Sequence, residues 1–203
     1  MKNIRLTVIL LMGALLLTPV FAGAQSAHDW VEKGLEYGKA GKIEEAIDAF
    51  DKAIEIDPNY AWAYNARGFA YGDLKRYEDA AADFTRAITI EPNFANAYYN
   101  RGNAYSDLKR FDEAIEDYTT AIKIAPRYAK AYYARGSTYG SLGRYKEAAD
   151  DFTRAIDIYP DLVPAYYARG MAFKAMGNVD RARADFRKAC TGGIEDACEE
   201  LKK

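Results

Sequence analysis

The sequence predicts an all-α protein, an α-solenoid of five helix hairpins closed by a C-terminal capping helix. Three observations predict this fold: a 34-residue phrase that repeats in register, small residues at fixed positions within it, and large side chains at helical spacing. The clearest copy is Ala95–Tyr128. A fixed period of this length is typical of stacked supersecondary units rather than of separate globular domains. The five copies span residues 27–60, 61–94, 95–128, 129–162 and 163–190.

The small residues mark the places where two helices must approach closely. Each copy has glycine at position 8 and alanine at positions 20 and 27, counted from its first residue. A larger side chain there would clash, at a cost of about 1–3 kcal/mol per site. Aromatic residues occupy positions 4, 11 and 24 of every copy, at spacings that place them on one face of a helix.

Each copy therefore predicts two antiparallel helices. Helix A covers about positions 2–14 and helix B about positions 18–30, and the turn between them contains Gly41, Gly143 or Gly177 in three of the copies. A proline at position 32 follows helix B in the first four copies, and proline ends a helix at or before the preceding residue. In copy five Thr191-Gly192-Gly193 replaces the proline. A capping helix over about residues 194–202 is expected to cover the end of the solenoid.

The first 24 residues lie outside the repeats. Lys2 and Arg5 form a short basic head, an apolar run follows, and Ala22-Gly23-Ala24 matches a small-residue cleavage site. This pattern predicts a secretory signal peptide over residues 1–24, cleaved before Gln25. The alternative is an uncleaved anchor, although the run is short for a membrane span. Because the signal is typical of bacterial export, we expect a periplasmic or secreted protein that meets the membrane only during export.

Charge and residue inventory exclude several function classes. Cleavage would remove Lys2 and Arg5 and leave 26 basic against 30 acidic residues, a net charge of −4. Nucleic-acid binding requires clustered excess lysine and arginine, so no nucleic-acid partner is expected. The chain has one histidine, His28, two cysteines, no glycine-rich phosphate loop and no metal-ligand spacing. We therefore expect no enzyme activity, no metal and no cofactor.

The repeated pattern resembles the tetratricopeptide repeat (TPR) family. The shared features are an aromatic residue at position 4, glycine at 8, tyrosine at 11, alanine at 20, an aromatic residue at 24, alanine at 27 and proline at 32. The resemblance covers about Ala27–Ala189. It implies a right-handed solenoid in which helix A lines a concave groove through positions 2, 5, 9, 12 and 13. It also implies that the protein binds a partner protein or peptide.

One departure from the family is consistent. Position 7, usually leucine in the family, is arginine in copies two to five, and the same four copies have aspartate at position 23, whereas copy one has neither. This joint presence predicts an ion pair inside each of these four hairpins; the alternative is an arginine ladder that binds phosphate or nucleic acid. Pairing is favoured because a partly buried arginine without a partner is costly. The predicted pairs are Arg67–Asp83, Arg101–Asp117, Arg135–Asp151 and Arg169–Asp185.

Both cysteines lie at the C-terminal end, Cys190 in helix B of copy five and Cys198 in the capping helix. In an oxidising compartment an isolated pair is most simply a disulfide. The phrase ACTGGIEDAC also resembles the Sel1-like relatives of these repeats, in which cysteines at this separation join adjacent helices. A redox site or a metal site are the alternatives, but neither C-x-x-C nor four ligands are present.

The groove positions implied by the resemblance carry aromatic and amide side chains. Tyr99, Tyr133 and Tyr167 all occupy position 5, where they would either bind an extended peptide or only cover neighbouring helices. The family's clamp for a C-terminal carboxylate is not expected, because only Asn100 and Lys130 match it. The candidate groove residues are Trp62, Asn65, Phe69, Asn96, Tyr99, Asn100, Asn103, Lys130, Tyr133, Ser137, Tyr167 and Met171.

Three hypotheses for function follow. The first is an exported scaffold that holds a peptide or a partner protein in the groove. The second is an envelope assembly or structural factor that acts through its ends. The third is a groove that binds a cell-wall glycan fragment, with the tyrosines as stacking platforms. The sequence leaves the identity of the partner and the oligomeric state open.

Overall fold

The structure, a computed structural model, describes residues 25–202, and within them it contains eleven helices and no strand. The predicted signal peptide lies outside the described residues. Helix A of the five hairpins is α1 (Ala27–Lys39), α3 (Ala61–Asp73), α5 (Ala95–Asp107), α7 (Ala129–Ser141) and α9 (Val163–Ala175). Helix B is α2 (Ile43–Ile56), α4 (Tyr77–Ile90), α6 (Phe111–Ile124), α8 (Tyr145–Ile158) and α10 (Val179–Thr191), and α11 (Glu195–Lys202) follows.

The helices start about one residue earlier than the sequence predicts. Helix A begins at position 1 and helix B at position 17 in every copy. At the first helix the reason is a capping box. The Ser26 hydroxyl accepts the backbone N–H of Asp29 at 3.1 Å, and the Asp29 carboxylate accepts the backbone N–H of Ser26 at 2.8 Å. These side-chain oxygens satisfy two backbone N–H groups at the start of α1, so the helix can begin at Ala27.

The hairpins stack side by side into a right-handed α-solenoid, as the sequence predicts. Each helix packs against the next in the chain, from α1 to α11. Consecutive A helices also contact one another, α1 with α3 and so on to α9, whereas the described B helices show no comparable contact between neighbouring copies. The A helices are therefore the closer-spaced row and form the concave side. No helix among residues 25–202 has the length and apolar character that a membrane crossing requires.

The glycine at position 8 allows helix A and helix B to approach within each hairpin. A Cβ built on Gly102 would lie 2.7 Å from Cε1 of Tyr118, closer than carbon atoms can pack. The Tyr118 side chain is 1% exposed, so the ring cannot simply turn away into solvent. The alanines at positions 20 and 27 are buried in every copy. Small and large residues therefore alternate across the helix interface as the repeat pattern predicts.

The turn between helix A and helix B has the same backbone in all five copies. Its residue at position 15 has a positive φ, 75° at Gly41, 72° at Gly143 and 76° at Gly177. Lysine has this conformation in the other two copies, with φ of 59° at Lys75 and 62° at Lys109. The left-handed region suits glycine and strains other residues, so the two lysines are held there by the hairpin.

The capping helix α11 packs on α10 and starts at Glu195, one residue later than predicted. Its Ala197 is fully buried against Phe186 and Ala189 of α10. Ile194 and Leu201 are partly buried in the same cluster. The outer face of α11 carries acidic residues and Lys202, so the solenoid ends on a polar surface.

Candidate functional site

The groove is the concave surface formed by the five A helices, and three cavities open along its first four helices. The first, about 350 Å³, lies between α1 and α3. The second, about 220 Å³, lies between α3 and α5, and the third, about 420 Å³, lies between α5 and α7. Neighbouring cavities are therefore one repeat apart along the solenoid.

The first groove cavity is predominantly apolar. Phe69 and Trp62 stand at its mouth with 59% and 50% of their surface exposed, which is unusual for side chains of this size. The inner wall includes Val31, Leu35 and Ile43. Trp62 also packs against Phe94, with ring centroids 5.0 Å apart, so its ring is held in place. The cavity offers a fixed apolar surface to an incoming side chain.

The second groove cavity is polar, and its amides are engaged with other side chains. Asn100 Nδ2 donates to Asn65 Oδ1 at 3.0 Å, and Asn65 is only 8% exposed. Asn103 Oδ1 accepts the Tyr118 hydroxyl at 2.8 Å. Burial raises the pKa of the Tyr118 phenol, so it remains a hydrogen-bond donor. Asn65 therefore helps to join α3 to α5 and presents little surface to a ligand, whereas Asn100 and Asn103 line the cavity.

Two carboxylates on the rim of the second cavity were not singled out from the sequence. Asp73 and Asp107 are the last residues of α3 and α5, both are exposed, and both line this cavity. Neither forms a hydrogen bond or an ion pair through its side chain with another residue of the range 25–202. Their sequence position could have identified them, because both occupy position 13, which the family resemblance assigns to the groove.

The three tyrosines at position 5 are half-buried and pack against helix B. Tyr99 lies 6.1 Å from Tyr118 and 5.1 Å from Tyr128 between ring centroids. Tyr133 and Tyr167 contact the aromatic residue at position 24 of their own hairpins, at 5.6 Å and 6.0 Å. Burial, with Tyr99 nearby, raises the pKa of Tyr128 to about 12. These rings support the hairpins and expose only part of their surface, although Tyr99 and Tyr133 line the third cavity.

The remaining candidate groove residues are dispersed. Ser137 lines the third cavity and donates its hydroxyl to the backbone oxygen of Tyr133 at 3.0 Å. Asn96 lines a shallow depression at the loop between copies three and four, outside the three groove cavities. Lys130 is exposed and Met171 is 39% exposed, and neither lines a groove cavity. The structure therefore brings the aromatic, amide and carboxylate groups together in copies one to four.

The arginines at position 7 point into the interface between helices A and B. Arg101 Nε and Nη2 donate to the two oxygens of Asp117 at 2.8 Å and 2.7 Å. The Arg101 side chain is 18% exposed and that of Asp117 is 5% exposed. The same two-pronged contact occurs in each of copies two to five, as Arg67–Asp83, Arg101–Asp117, Arg135–Asp151 and Arg169–Asp185.

The third nitrogen of each guanidinium reaches the preceding copy, a contact not foreseen from the sequence. Arg67 Nη1 donates to Asp51 at 2.5 Å, and the next three arginines donate to a threonine hydroxyl at the same position, 25. Hydrogen bonds to Asp117 raise the pKa of Arg101, which stays charged. Burial raises the pKa of Asp117 more than Arg101 lowers it. The arginines therefore belong to the core rather than to the groove.

The remaining polar residues considered as ligands or nucleophiles are His28 and the two cysteines. His28 Nδ1 lies 3.2 Å from the Tyr60 hydroxyl, and no three His, Cys, Asp or Glu side chains of residues 25–202 are arranged to hold a metal ion. Cys190 and Cys198 are joined as a disulfide in the structure, with Cα atoms 4.9 Å apart.

Comparisons with protein families assign most of the array. Models described as tetratricopeptide repeat match residues 61–94, 95–128, 129–162 and 163–191, and a model described as TPR repeat matches residues 34–75. No curated protein sequence matches the chain.

Several solved structures share the fold. MamA, at 29% identity, has a TM-score of 0.73 over 81% of this chain and 96% of its own. MamA from Desulfovibrio magneticus RS-1, at 20% identity, has a TM-score of 0.74 over 83% of this chain and 96% of its own. YrrB, described as a TPR protein with an unusual peptide-binding site, is 21% identical, with a TM-score of 0.72 over 88% of this chain and 93% of its own. At such identities the last two likenesses show the fold alone.

Proposed function

The chain belongs to the tetratricopeptide repeat family, and from that premise we propose that it is an exported interaction scaffold whose groove binds an extended segment of a partner protein. Membership of this family supports an interaction scaffold built from TPR hairpins. The groove as the binding site is the proposal. The observation that carries it is the exposure of Phe69 and Trp62 over the first groove cavity.

The exposure of the Trp62 and Phe69 rings is not required by the packing of the hairpins. Trp62 and Phe69 lie on the same helix, seven residues apart, and the fold already offers a buried position for aromatics at position 24 and partly buried ones at positions 4 and 11. A monomeric protein gains solubility when such side chains are covered or replaced, and aromatic residues are enriched at binding hot spots. A peptide that lies along the groove would cover both rings without disturbing the hairpins.

The tyrosines at position 5 favour a peptide over a glycan fragment. Stacking on a sugar requires a free aromatic face, and Tyr99, Tyr133 and Tyr167 use part of their rings to pack on helix B. The edges that remain, together with the amide atoms of Asn100 and Asn103 that are not used in bonds to Asn65 and Tyr118, are better matched to the side chains and backbone of an extended peptide.

Export is part of the proposal and rests on residues 1–24. Lys2 and Arg5, the apolar run and the small residues before Gln25 together support a signal peptide. Expression of the full chain in a bacterium, followed by cell fractionation and N-terminal sequencing, tests this. We expect a periplasmic or secreted protein that begins at Gln25. A cytoplasmic protein with an intact Met1 would overturn this part of the proposal and leave the groove untouched.

The groove is tested by selection of a random peptide library on the chain from Gln25 to Lys203, which contains all eleven described helices. Selected peptides should lose binding to the variant Trp62→Ala/Phe69→Ala. The matched control is Tyr159→Ala/Val179→Ala, whose side chains are 54% and 59% exposed and lie outside the groove cavities. This control should retain binding. Peptides that bind both variants equally, or a library that gives no specific peptide, would overturn the groove as the binding site.

A further inference from the structure

We infer that the groove recognises a segment in which an apolar side chain and a lysine or arginine are three residues apart. The apolar side chain enters the first groove cavity, and the basic group lies between Asp73 and Asp107 at the second. This inference rests on the proposed function, because it names the class of peptide that the same groove would take.

The first half of the inference follows from the shape and chemistry of the first groove cavity. At about 350 Å³ it has room for one large side chain, and its wall is formed mainly by Val31, Leu35, Ile43, Phe50 and Phe69. The polar lining is limited to Lys39, Asn65 and Asp73, so a charged or amide side chain that entered among the apolar residues would lose most of its hydration. An aliphatic or aromatic side chain would instead cover exposed surface of Phe69 and Leu35, which are 59% and 40% exposed.

The second half follows from charge complementarity. Asp73 and Asp107 flank the second cavity, and neither carboxylate has a side-chain partner within residues 25–202. Lys39 is the counterpart of these residues at position 13 of copy one and lines the first cavity. Asp73 lines the first cavity as well, so a basic ligand group meets one lysine and one carboxylate there but two carboxylates at the second cavity. The second cavity therefore attracts a basic group more strongly than the first. Asn103, which also lines the second cavity, is neutral and does not offset the two negative charges.

The spacing follows from the repeat. Packed helices usually lie about 8–10 Å apart, consecutive A helices contact one another, and the two cavities are one A helix apart. A polyproline II segment advances about 3.1 Å per residue with three residues per turn. Side chains at i and i+3 therefore point in the same direction and lie about 9 Å apart. A β-strand would place i and i+3 on opposite faces, so the polyproline II conformation is the one that fits both cavities.

Defined peptides test the inference by calorimetric titration of the Gln25–Lys203 chain. The probe is an eight-residue acetylated and amidated proline peptide with leucine at its third position and lysine at its sixth. One comparison peptide has glutamate in place of the lysine, and a second has the lysine directly after the leucine. We expect the probe to bind about three- to tenfold more tightly than either comparison peptide at low salt, and the difference to shrink at high salt.

Matched variants of the chain locate the effect. Asp73→Asn/Asp107→Asn should weaken the probe by about three- to tenfold and leave the glutamate peptide unchanged or bound more tightly. Asp112→Asn/Glu116→Gln makes the same change in net charge on the exposed face of α6 and should have a much smaller effect. Phe69→Ala should weaken all three peptides.

Equal binding of the lysine and glutamate peptides, or equal loss in the α6 control, would overturn the inference, as would no binding of any of the three. Failure of this inference is distinguishable from failure of the proposed function. A library selection that returns groove-dependent peptides without the apolar and basic pair would overturn this inference alone. A selection in which no peptide depends on Trp62 and Phe69 would also overturn the groove as the binding site.

Discussion

Arg101 Nη1 donates a hydrogen bond to Thr85 Oγ1 at 3.0 Å, across the boundary between copies two and three. The same guanidinium holds both oxygens of Asp117 in its own hairpin. It also lies between the rings of Tyr98 and Tyr105, with centroids 5.6 Å and 5.7 Å from Cζ. One side chain therefore joins the two helices of a hairpin to each other and to the preceding hairpin, and this arrangement repeats along the array.

Removal of Arg101 should be strongly destabilising. Arg101→Met leaves the Asp117 carboxylate buried with no cation, and breaking one side of a buried pair costs about 3–5 kcal/mol. Replacing both partners, Arg101→Met/Asp117→Leu, removes the isolated charge and should recover most of that loss. Urea unfolding followed by circular dichroism measures the free energy of unfolding of each variant.

Two further variants separate the parts of this contact. Thr85→Val removes the bond between hairpins, together with the hydrogen bond that Thr85 Oγ1 donates to the Ala81 backbone oxygen at 2.8 Å, and should cost about 0.5–1.5 kcal/mol. Lys146→Met removes an exposed pair with Asp150, whose side chains are 82% and 70% exposed, and should change stability by less than about 1 kcal/mol. A double variant as unstable as Arg101→Met alone would contradict this account of the buried charge.

The sequence predicts the pairing of Arg101 with Asp117 but not the contact of Arg101 with Thr85. Arg101 and Asp117 are both present in four copies and both replaced in copy one, so a correlation points from one to the other. Position 25 is Asp51 in copy one and threonine in the next three, and this mixture of residue types gives no such signal. The contact between hairpins depends on the stacking geometry, which the repeat period implies but does not specify atom by atom.

The turn at position 15 gives a second prediction. Lys75 and Lys109 have φ of 59° and 62°, in the left-handed region that costs a residue with a Cβ about 1–2 kcal/mol. Glycine relieves this strain, although part of the gain is offset because glycine has more freedom in the unfolded chain. Lys75→Gly and Lys109→Gly should each stabilise the protein by about 0.5–1 kcal/mol in urea unfolding.

The same position supplies the reverse experiment. Gly143, with φ of 72°, occupies the equivalent place in copy four. Gly143→Lys should destabilise by about the amount that Lys75→Gly gains, because both exchanges are made on the same backbone. Two substitutions that change stability in the same direction would show that backbone conformation does not control this position.

Two glycines in α1, one helical turn apart, should respond in opposite ways to alanine. A Cβ on Gly34 would lie 2.4 Å from the Phe50 ring, whereas a Cβ on Gly38 would meet nothing within 4 Å. Gly34→Ala should therefore destabilise by about 1–3 kcal/mol through overpacking. Gly38→Ala should stabilise by up to about 1 kcal/mol, since alanine favours a helix over glycine. Thermal melts of the two variants check this, and loss of stability in Gly38→Ala would contradict the open space beside it.

The groove was the least predictable region from the sequence. The resemblance gave its positions but not how its residues interact: Asn65 is an ordinary amide in the sequence, yet in the fold it is buried and accepts a hydrogen bond from Asn100. The tyrosines had two open interpretations, because position 5 lies at the edge between the groove and helix B. The positions of aromatic residues in the sequence do not distinguish a ring that packs on its own hairpin from a ring that is exposed for ligand binding.

The cysteine pair gives the last prediction. Cys190 in α10 and Cys198 in α11 close a loop with a sequence separation of 8, and cross-linking a loop of this length stabilises by about 2–3 kcal/mol. Other attachments of the cap to the array include buried Ala197, the partly buried Ile194 and Leu201, the hydrogen bond from Arg183 of α10 to the Leu201 backbone oxygen at 3.3 Å, and the ion pair of Lys174 in α9 with Glu200. Exported protein should contain no free thiol and should gain two hydrogen atoms in mass on reduction.

Reduction should loosen the cap before it affects the rest of the array, because solenoid hairpins interact mainly with their neighbours. Amide hydrogen exchange in Glu195–Lys202 should become faster, while exchange in α5 at the centre of the array stays unchanged. Cys190→Ser/Cys198→Ser should reproduce the reduced pattern without any reductant. Free thiols in freshly purified exported protein would show that the bridge does not form. Unchanged exchange in α11 after reduction would show instead that Ala197 and its apolar neighbours are sufficient to hold the cap in place.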